Sequence, residues 1–331
     1  MLACIYNPFM TTATTPSSLP TTQLTWHSRV IRQLKRLAVL LTIIYLLILI
    51  GGCMFQEKLL FPGAWITLSH ATPAAAVVSP PVETLTLHTA DGQTVSALFA
   101  PAHRPLYSSS GLLHPVTCPT ILYFYGNAMC LDDNAWEIET FRKLPANVLV
   151  TEYVGYPRAS GKPSEAGCYA SAEAAYQWAL RDPRINKKRL VAMGWSLGAA
   201  VACDLAWRHP LVLQAEDDPG ISGLVMCSAF TSIDDVAAHH YWFLPTQLML
   251  RHHFRSRDKI GTIKCPILLV HGTVDNIVPY PMSLTLRDAI RKAGTTEVTH
   301  LPIPGASHND LYLEGAPELV PALRTFLRPR D

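Results

Sequence analysis

The stretch Lys188–Ala200, with the sequence KRLVAMGWSLGAA, decides the fold of this chain. It predicts a short buried strand, a tight turn with Ser196 at its tip, and a helix from Leu197 onward. The Gly-x-Ser-x-Gly pattern of Gly194, Ser196 and Gly198 is typical of a strained bend, because small residues on either side let strand and helix approach closely. A serine at such a bend is a candidate nucleophile.

The context of this motif supports the same interpretation. An apolar run precedes it, and the alanine-rich segment Ala199–Arg208 favours a helix that ends at His209 and Pro210. The pattern by itself is weak, since short motifs recur by chance, and an ordinary turn between a strand and a helix is the alternative. A serine hydroxyl also needs a base, an orienting acid and oxyanion donors before it can act as a nucleophile.

An acid and a base follow the serine in the chain. Pro266–Gly272 reads as an apolar strand, and Asp275 lies in the loop after it. Val298–Ile303 reads as a further strand, and His308 lies in the loop after that one. We predict Asp275 as the orienting acid and His308 as the general base. The order nucleophile, acid, base differs from that of the two large serine-protease folds.

Each of these two assignments has an alternative. Asp275 could only cap the turn before a helix near Pro281. Asp234 and Asp235 are the alternative acids, although their segment resembles the start of a helix. His308 lies in a glycine-containing loop after a strand, unlike the four histidines of a helical, aromatic-rich segment. Those four are His239, His240, His252 and His253.

An oxyanion hole needs two backbone N–H groups, one of them from the residue after the nucleophile. Here that residue is Leu197. The second donor is expected in the loop after an earlier strand, and Thr120–Tyr125 followed by Gly126 fits that description. We predict Asn127 as the donor, with Ala128 as the alternative.

These residues carry a resemblance to a known family. The run from about Glu83 to Arg328 resembles the α/β-hydrolase superfamily, specifically its small-cap, membrane-anchored α/β-hydrolase-domain proteins. That branch includes protein depalmitoylases and monoacylglycerol or lysophospholipid lipases. The matching stretches are Leu122–Ala128, Tyr153–Gly161 with Pro163–Glu165, Gly194–Gly198, Ser228–Ile233, Lys264–Gly272 with Asp275, and Gly305–His308. The resemblance implies a triad of Ser196, Asp275 and His308, with Asn127 and Leu197 as oxyanion donors.

Two positions depart from the family pattern. Tyr125 stands where a histidine is usual before the glycine, and Val154 stands where an arginine is usual after the tyrosine. Neither is a triad position. Both positions affect the shape of the oxyanion loop and the polar groups behind it. They therefore bear on which substrate is bound more than on which reaction is catalysed.

Length and composition indicate an α/β fold. The 331 residues are 49% hydrophobic, and strands alternate with helices, which predicts an eight-stranded, mostly parallel sheet with helices on both faces, preceded by one N-terminal transmembrane helix. The predicted strands are Glu83–His88, Thr94–Ala100, Thr120–Tyr125, Asn147–Tyr153, Leu190–Gly194, Gly223–Cys227, Pro266–His271 and Glu297–Ile303. The predicted helices are Asp132–Leu144, Glu165–Arg181, Leu197–Arg208, Met282–Ala293 and Pro317–Leu327.

The N-terminal part differs in kind from the rest. Residues 1–28 are rich in Thr, Ser and Pro and nearly uncharged, which predicts disorder. Residues 29–58 contain a basic flank and Leu37–Phe55, an uncharged run of 19 residues that would form a membrane anchor about 28 Å long as a helix. Residues 59–82 are predicted as a linker and residues 83–331 as the hydrolase domain.

The charges around the predicted anchor indicate its orientation. Four basic residues precede it, and only Lys58, beside Glu57, follows closely, so we expect a cytosolic N-terminus and an exoplasmic catalytic domain, facing the periplasm if the source is bacterial. The four are Arg29, Arg32, Lys35 and Arg36. A cleaved signal peptide is one alternative, and a lipoprotein signal with Cys53 as the attachment point is another.

Composition also limits the kinds of partner and cofactor that can be expected. A net charge of +2 with 16% charged residues and no basic stripe indicates no nucleic-acid partner. No metal-binding spacing such as C-x-x-C or H-E-x-x-H occurs, so we predict a reaction without metal or cofactor. Of the eight cysteines, only Cys118 and Cys130 form a candidate disulfide pair.

The expected function is a serine hydrolase that cleaves an acyl ester or thioester. The interval Ser228–Cys265, where this fold often carries a lid, is short, which predicts a fairly open site. The candidate pocket residues are Tyr125, Trp195, Trp242 and Phe243, and packing of the latter two onto the core is the alternative. Membrane anchoring favours a lipid, another acylated small molecule or an acylated protein as substrate. A peptidase of the same fold and an inactive, membrane-tethered interaction protein are the other candidates.

Overall fold

A computed structural model describes residues 21–66, 78, 82–102, 107–108, 111–112, 118–144, 146–314 and 316–328. Contacts divide the chain into two compact units, residues 1–51 and residues 52–331. The first unit, where described, is helical. The second contains the main sheet and the helices that lie between and after its strands in the chain.

Helix α1 runs from Thr21 to Leu60, so its last turns belong to the second unit. Its part from Trp26 onward is long and apolar enough to cross a membrane, and its most apolar window has no buried residue. The helix includes residues 21–28, which lie in the segment predicted to be disordered. Residues 1–20 lie outside the described residues.

The main sheet has eight strands and is mostly parallel, which confirms the predicted fold class. Its order is β1-β2-β6-β5-β7-β8-β9-β10, and only the pairs β1–β2 and β2–β6 are antiparallel. The strands are β1 (Glu83–His88), β2 (Thr94–Ala100), β5 (Thr120–Phe124), β6 (Asn147–Thr151), β7 (Leu190–Trp195), β8 (Gly223–Cys227), β9 (Ile267–Gly272) and β10 (Val298–Ile303). A separate pair, which the sequence did not predict, consists of β3 (Tyr107–Ser108) and β4 (Gly111–Leu112).

Helices connect the parallel strands, since crossover connections between such strands usually contain a helix. The connecting helices are α2 (Ala135–Arg142), α3 (Glu165–Arg181), α4 (Leu197–Arg208), α5 (Ile233–His240), α6 (Thr246–Met249), α7 (Ser256–Ile260) and α8 (Tyr280–Ala293), and α9 (Leu311–Glu314) and α10 (Ala316–Phe326) follow the last strand. The ends of α3 follow from local chemistry, because the Ser164 hydroxyl accepts a hydrogen bond from the Gly167 N–H and caps the first turn. Ser232 caps α5 in the same way through the Asp235 N–H, which places a helix start in the segment where the sequence indicated one.

The central strands carry the core. Every residue of β5, β6, β8 and β9 is buried, as expected for parallel strands covered on both faces. Their carboxyl ends lie at one edge of the sheet, where ligands bind in folds of this class. The loops after β5, β7, β9 and β10 begin at that edge, and they contain the predicted site residues.

The second compact unit starts at Gly52, whereas the sequence predicts a linker over residues 59–82 and a domain that starts at residue 83. Phe61 is fully buried in the core and Gln56 is nearly so, which explains the difference, because an anchor followed by a free linker would leave both side chains in solvent. Cys118 and Cys130 form no disulfide in the described structure.

Candidate active site

Ser196 sits on a strained turn between β7 and α4. Its backbone is in the left-handed region, with φ 55° and ψ −115°, which a residue other than glycine adopts rarely. The turn depends on the two flanking glycines. A Cβ on Gly194 would lie 2.0 Å from the Gly198 carbonyl oxygen, and one on Gly198 would lie 1.9 Å from the Phe124 carbonyl oxygen. Neither position has room for a side chain.

We therefore expect Gly198→Ala to destabilise the fold by about 3 kcal/mol or more, because the added methyl group meets backbone atoms of β5 that cannot move aside. Thermal unfolding measures the effect. Gly261→Ala is the matched control, since a Cβ there would make only an ordinary contact, 3.5 Å from the Ala293 Cβ. Equal melting temperatures for the two variants would contradict the predicted packing at the turn.

Three side chains from three loops meet at Ser196. The Nε2 atom of His308 lies 3.0 Å from the Ser196 Oγ, and its Nδ1 atom lies 2.8 Å from Oδ2 of Asp275. Because the carboxylate can only accept, Nδ1 carries the proton and Nε2 accepts from the serine hydroxyl. All three side chains are buried. The structure thus brings together the nucleophile, base and acid proposed from the sequence.

The Asp275 carboxylate is held by more than His308. Its Oδ1 atom accepts the backbone N–H groups of Ile277 and Val278, at 3.0 and 2.8 Å. The Nε2 atom of His271 lies 3.3 Å from Oδ2 and 2.9 Å from the Val278 carbonyl oxygen, so it is the protonated nitrogen and donates. Burial raises the pKa of Asp275, but hydrogen bonds from His271, His308 and Val278 outweigh it and hold the pKa below its usual range. Asp275 therefore stays ionised.

His271 is a residue that the sequence reasoning missed. It is fully buried at the end of β9, four residues before Asp275. The signal for it was present, because a histidine inside an otherwise apolar strand needs a polar partner when it is buried. We regard it as a positioning residue that orients the acid.

The alternative acids have other partners. Asp234 lies 2.8 Å from Nδ1 of His253 and accepts from Arg255 at 3.2 Å. Asp235 accepts from the Thr231 hydroxyl at 2.7 Å and pairs with Arg257. Both carboxylates stabilise the start of α5 and the segment that returns toward β9. The structure therefore pairs His308 with Asp275 and not with either of them.

The predicted oxyanion loop lies against the nucleophile. A Cβ on Gly126 would lie 3.7 Å from the Ser196 Cβ and 2.9 Å from the Trp195 ring, so loop and turn are in contact. Leu197 is the first residue of α4, where a backbone N–H has no acceptor within the helix. These positions fit the predicted donors Leu197 and Asn127, whose role in binding an oxyanion stays a prediction.

Tyr125 supports this loop from behind. It is fully buried, its hydroxyl donates to the Glu152 carboxylate, and its carbonyl oxygen accepts from the Tyr153 hydroxyl at 2.8 Å. This corrects its assignment to a substrate pocket, because a phenol in place of the usual histidine reaches back to a buried acid. The sequence reasoning missed Glu152, which no local pattern marks.

Glu152 is a buried acid with a perturbed pKa. Burial raises its pKa to about 7, against the opposing effect of hydrogen bonds from the backbone N–H groups of Leu131, Arg158 and Tyr153. Burial likewise raises the pKa of Glu137, in α2, to about 7. An acid with a raised pKa in the folded state keeps its proton there when the unfolded chain has already lost it.

Stability should accordingly fall as the pH rises from about 4.5 to about 7, and stay low above that. Each of the two groups contributes up to about 3 kcal/mol to this loss. Thermal unfolding between pH 5 and 8 measures it. Glu152→Gln, which cannot ionise, should flatten the profile, whereas substitution of the exposed Glu318 by Gln should not. A profile of Glu152→Gln as steep as that of the wild type would contradict the assignment.

The other predicted pocket residues lie in two places. Trp195 is half-buried, with its ring 5.2 Å from the His308 ring, and its indole nitrogen has no hydrogen-bond partner in the described structure. Trp242 is 82% exposed and Phe243 is 49% exposed, both between α5 and α6. The structure thus brings Trp195 to the site and leaves Trp242 and Phe243 exposed, so their assignment to its lining stays a prediction.

The described residues contain no group of three or more His, Cys, Asp or Glu side chains that could hold a metal ion. The expectation of a reaction without metal or cofactor stays a prediction. The reaction that the side chains of this site can perform needs only those side chains, backbone N–H groups and water.

Known proteins resemble this chain in sequence. The model of the prolyl oligopeptidase family matches residues 165–317, a span that includes Ser196, Asp275 and His308. An uncharacterised protein of Mycobacterium tuberculosis is 31% identical over 273 residues, covering 82% of this chain and 87% of its own. The α/β-hydrolase domain-containing protein WAV2 of Arabidopsis thaliana is 29% identical, covering 79% of this chain and 83% of its own.

Solved structures show the same fold. An esterase from Pyrococcus furiosus superposes with a TM-score of 0.58 at 17% identity, covering 79% of this chain and 95% of its own. At that identity the likeness concerns the fold alone. The family model, the relatives and the solved structures thus agree with one another on the fold of this chain.

Proposed function

This chain belongs to the α/β-hydrolase superfamily, and from that premise we propose that it is a serine hydrolase that cleaves an acyl ester or thioester through an acyl-enzyme at Ser196. The observation that carries the proposal is the hydrogen-bonded series Asp275, His308, Ser196, with distances of 2.8 and 3.0 Å. These are distances at which a proton transfers between the groups.

In the first half of the reaction, the Ser196 Oγ attacks the acyl carbonyl carbon while its proton moves to Nε2 of His308. The carbonyl oxygen takes the electron pair and becomes an oxyanion, which the N–H groups of Leu197 and Asn127 stabilise. The imidazolium next to ionised Asp275 then gives its proton to the departing alcohol or thiol as the bond to the carbonyl breaks. An acyl ester on Ser196 is left.

In the second half, a water molecule replaces the alcohol or thiol. His308 takes one proton from the water as its oxygen attacks the acyl-enzyme, and a second oxyanion forms in the same place. When the bond between the carbonyl carbon and Ser196 Oγ breaks, His308 returns that proton to the serine. The products are a carboxylic acid and the free enzyme.

A lipid or an acylated protein is the substrate class that the surroundings support best. Helix α1 is long and apolar enough to cross a membrane, and several large apolar side chains of the second unit are exposed. These side chains are Leu59, Trp65, Trp242 and Leu248, which are 71, 56, 82 and 88% exposed. Exposed aromatic side chains are typical of the region where a protein meets lipid head groups. Substrates with an acyl chain accumulate in that region.

We also propose the orientation of α1 in the membrane. Its four basic residues before the apolar run favour a cytosolic N-terminus, so the catalytic unit would face the exoplasmic side. Fusion of alkaline phosphatase, which is active only outside the cytosol, to the C-terminus tests this in a bacterial host. An inactive fusion together with a fluorescent green-fluorescent-protein fusion would reverse the proposed orientation.

A peptidase is the second candidate, because the matching family model is that of prolyl oligopeptidases. An amide has a poorer leaving group than an ester or thioester and needs a site that also holds the peptide. The short interval between β8 and β9, which ends at Pro266, leaves little chain to build such a site. We therefore favour the ester or thioester.

The decisive experiment compares substrates on the full-length protein in detergent. We expect p-nitrophenyl esters of rising acyl length and an acyl thioester to be hydrolysed, with kcat/KM rising with chain length. A prolyl peptide amide with a comparable chromophore is assayed alongside them. Faster turnover of the amide than of every ester and thioester would replace the proposal by the peptidase.

A further inference from the structure

The end of helix α1 is bonded to the predicted oxyanion loop. We call Leu60–Trp65 the junction; it contains the last residue of α1 and a short 3₁₀ turn, Pro62–Trp65. The Asn127 side-chain amide donates to the Leu60 carbonyl oxygen at 3.0 Å, and the Gly63 N–H donates to the Asn127 carbonyl oxygen at 2.9 Å. Asn127 is thus held by the junction at two points, one on its side chain and one on its backbone.

The contact is a close approach of two backbones. A Cβ on Gly63 would lie 2.2 Å from the Met129 carbonyl oxygen and 2.7 Å from that of Asn127. Only a glycine fits at this distance, because any side chain would displace one backbone from the other. The Tyr156 hydroxyl completes the arrangement by donating to the Asn127 carbonyl oxygen at 3.0 Å.

The junction is itself fixed to the catalytic unit. Phe61 is fully buried, with its ring 5.2 Å from the His252 ring. One turn earlier, the Gln56 side chain donates to the Met249 carbonyl oxygen at 3.1 Å and accepts the Arg251 N–H at 2.8 Å. The junction is therefore a rigid support, since buried packing and side-chain hydrogen bonds hold it on both sides of Leu60.

We propose that the junction is a positioning element of the oxyanion hole, which acts through Asn127 and makes the end of the membrane helix part of the catalytic machinery. An oxyanion donor must lie within about 0.5 Å of its productive position, and a loop alone seldom holds a group so closely. Within its own loop, the only backbone hydrogen bond across Asn127 in the described structure runs from the Met129 N–H to Gly126, at 3.2 Å. The inference rests on the proposed hydrolase function.

The test is Gly63→Ala in the full-length protein. The added methyl group must push the loop away, so we expect kcat to fall about 10- to 100-fold with little change in KM. Binding of a trifluoromethyl ketone, which forms a tetrahedral adduct with the serine, should weaken by the same factor. Gly51→Ala is the matched control, because a Cβ there meets nothing within 4 Å. It should behave as the wild type.

A second variant covers the case in which Gly63→Ala does not fold. Asn127→Ala keeps the backbone N–H but removes the hydrogen bond to Leu60, and we expect kcat to fall about 10-fold, again without a matching change in KM. A folded Gly63→Ala or Asn127→Ala with unchanged kcat and inhibitor binding would overturn the proposal, as would a change in KM alone.

Failure of this inference can be told apart from failure of the proposed function. The rate of labelling by a fluorophosphonate needs no knowledge of the substrate, since the probe reacts with any activated serine. Labelling of the wild type with an unchanged rate in both variants overturns the role of the junction. Absence of labelling in the wild type overturns the hydrolase proposal itself, and the junction proposal with it.

Discussion

Ser196→Ala should abolish fluorophosphonate labelling and lower kcat for ester hydrolysis by about 10⁵-fold or more, because the proposed acyl-enzyme forms on the hydroxyl that it removes. The residual rate would come from the oxyanion donors and substrate binding alone. Stability should change little, since alanine keeps the Cβ and the backbone conformation of serine. Labelling with a fluorescent probe, an ester assay and thermal unfolding measure the three quantities on one preparation.

Ser228→Ala is the matched control for this substitution. Ser228 directly follows the neighbouring strand β8, is fully buried, and shares the left-handed backbone, with φ 47°. Its hydroxyl has no hydrogen-bond partner in the part of the chain that the structure describes. Removing it should leave labelling and turnover within about twofold of the wild type. Equal loss in both variants would show that the loss is not specific to the hydroxyl of Ser196 and would contradict its role as the nucleophile.

The parts of the fold that local signals determine could be predicted from the sequence. The bounds of α3 and α4 agree with prediction, because a capping serine starts the first and the glycine-flanked turn starts the second. The site residues Ser196, Asp275 and His308 could be found as well. Each lies just after an apolar strand, and the carboxyl ends of parallel strands meet at one edge of the sheet.

The support behind the site could not be predicted, because it depends on residues far apart in the chain. The hydrogen bond from Tyr125 to Glu152 spans 27 residues, and that from Asn127 to Leu60 spans 67. Hydrophobic periodicity and turn signals describe windows of a few residues and carry no information on such pairs. The burial of Phe61 and Gln56 in the second unit depends on distant residues in the same way. A membrane span followed by a linker was the simplest interpretation of composition alone.

Asp275→Asn should lower kcat by about 10⁴-fold while Ser196 stays in place. The physical reason lies in the hydrogen bonds around the acid. The N–H groups of Ile277 and Val278 both donate to Oδ1, so in the variant the amide oxygen must take that position. The amide nitrogen then replaces Oδ2 and points its protons at His308. The imidazole must accept there, which puts its own proton on Nε2, where it can no longer take one from Ser196.

The control for this variant decides between the candidate acids. Asp234→Asn removes the same charge from a buried carboxylate that pairs with His253 and Arg255 instead of His308. It should lower the melting temperature, because it weakens the ion pair with Arg255 and the hydrogen bond with His253, and leave kcat of the folded enzyme nearly unchanged. If Asp234→Asn lost activity 10⁴-fold and Asp275→Asn did not, the acid would have to be reassigned to the start of α5.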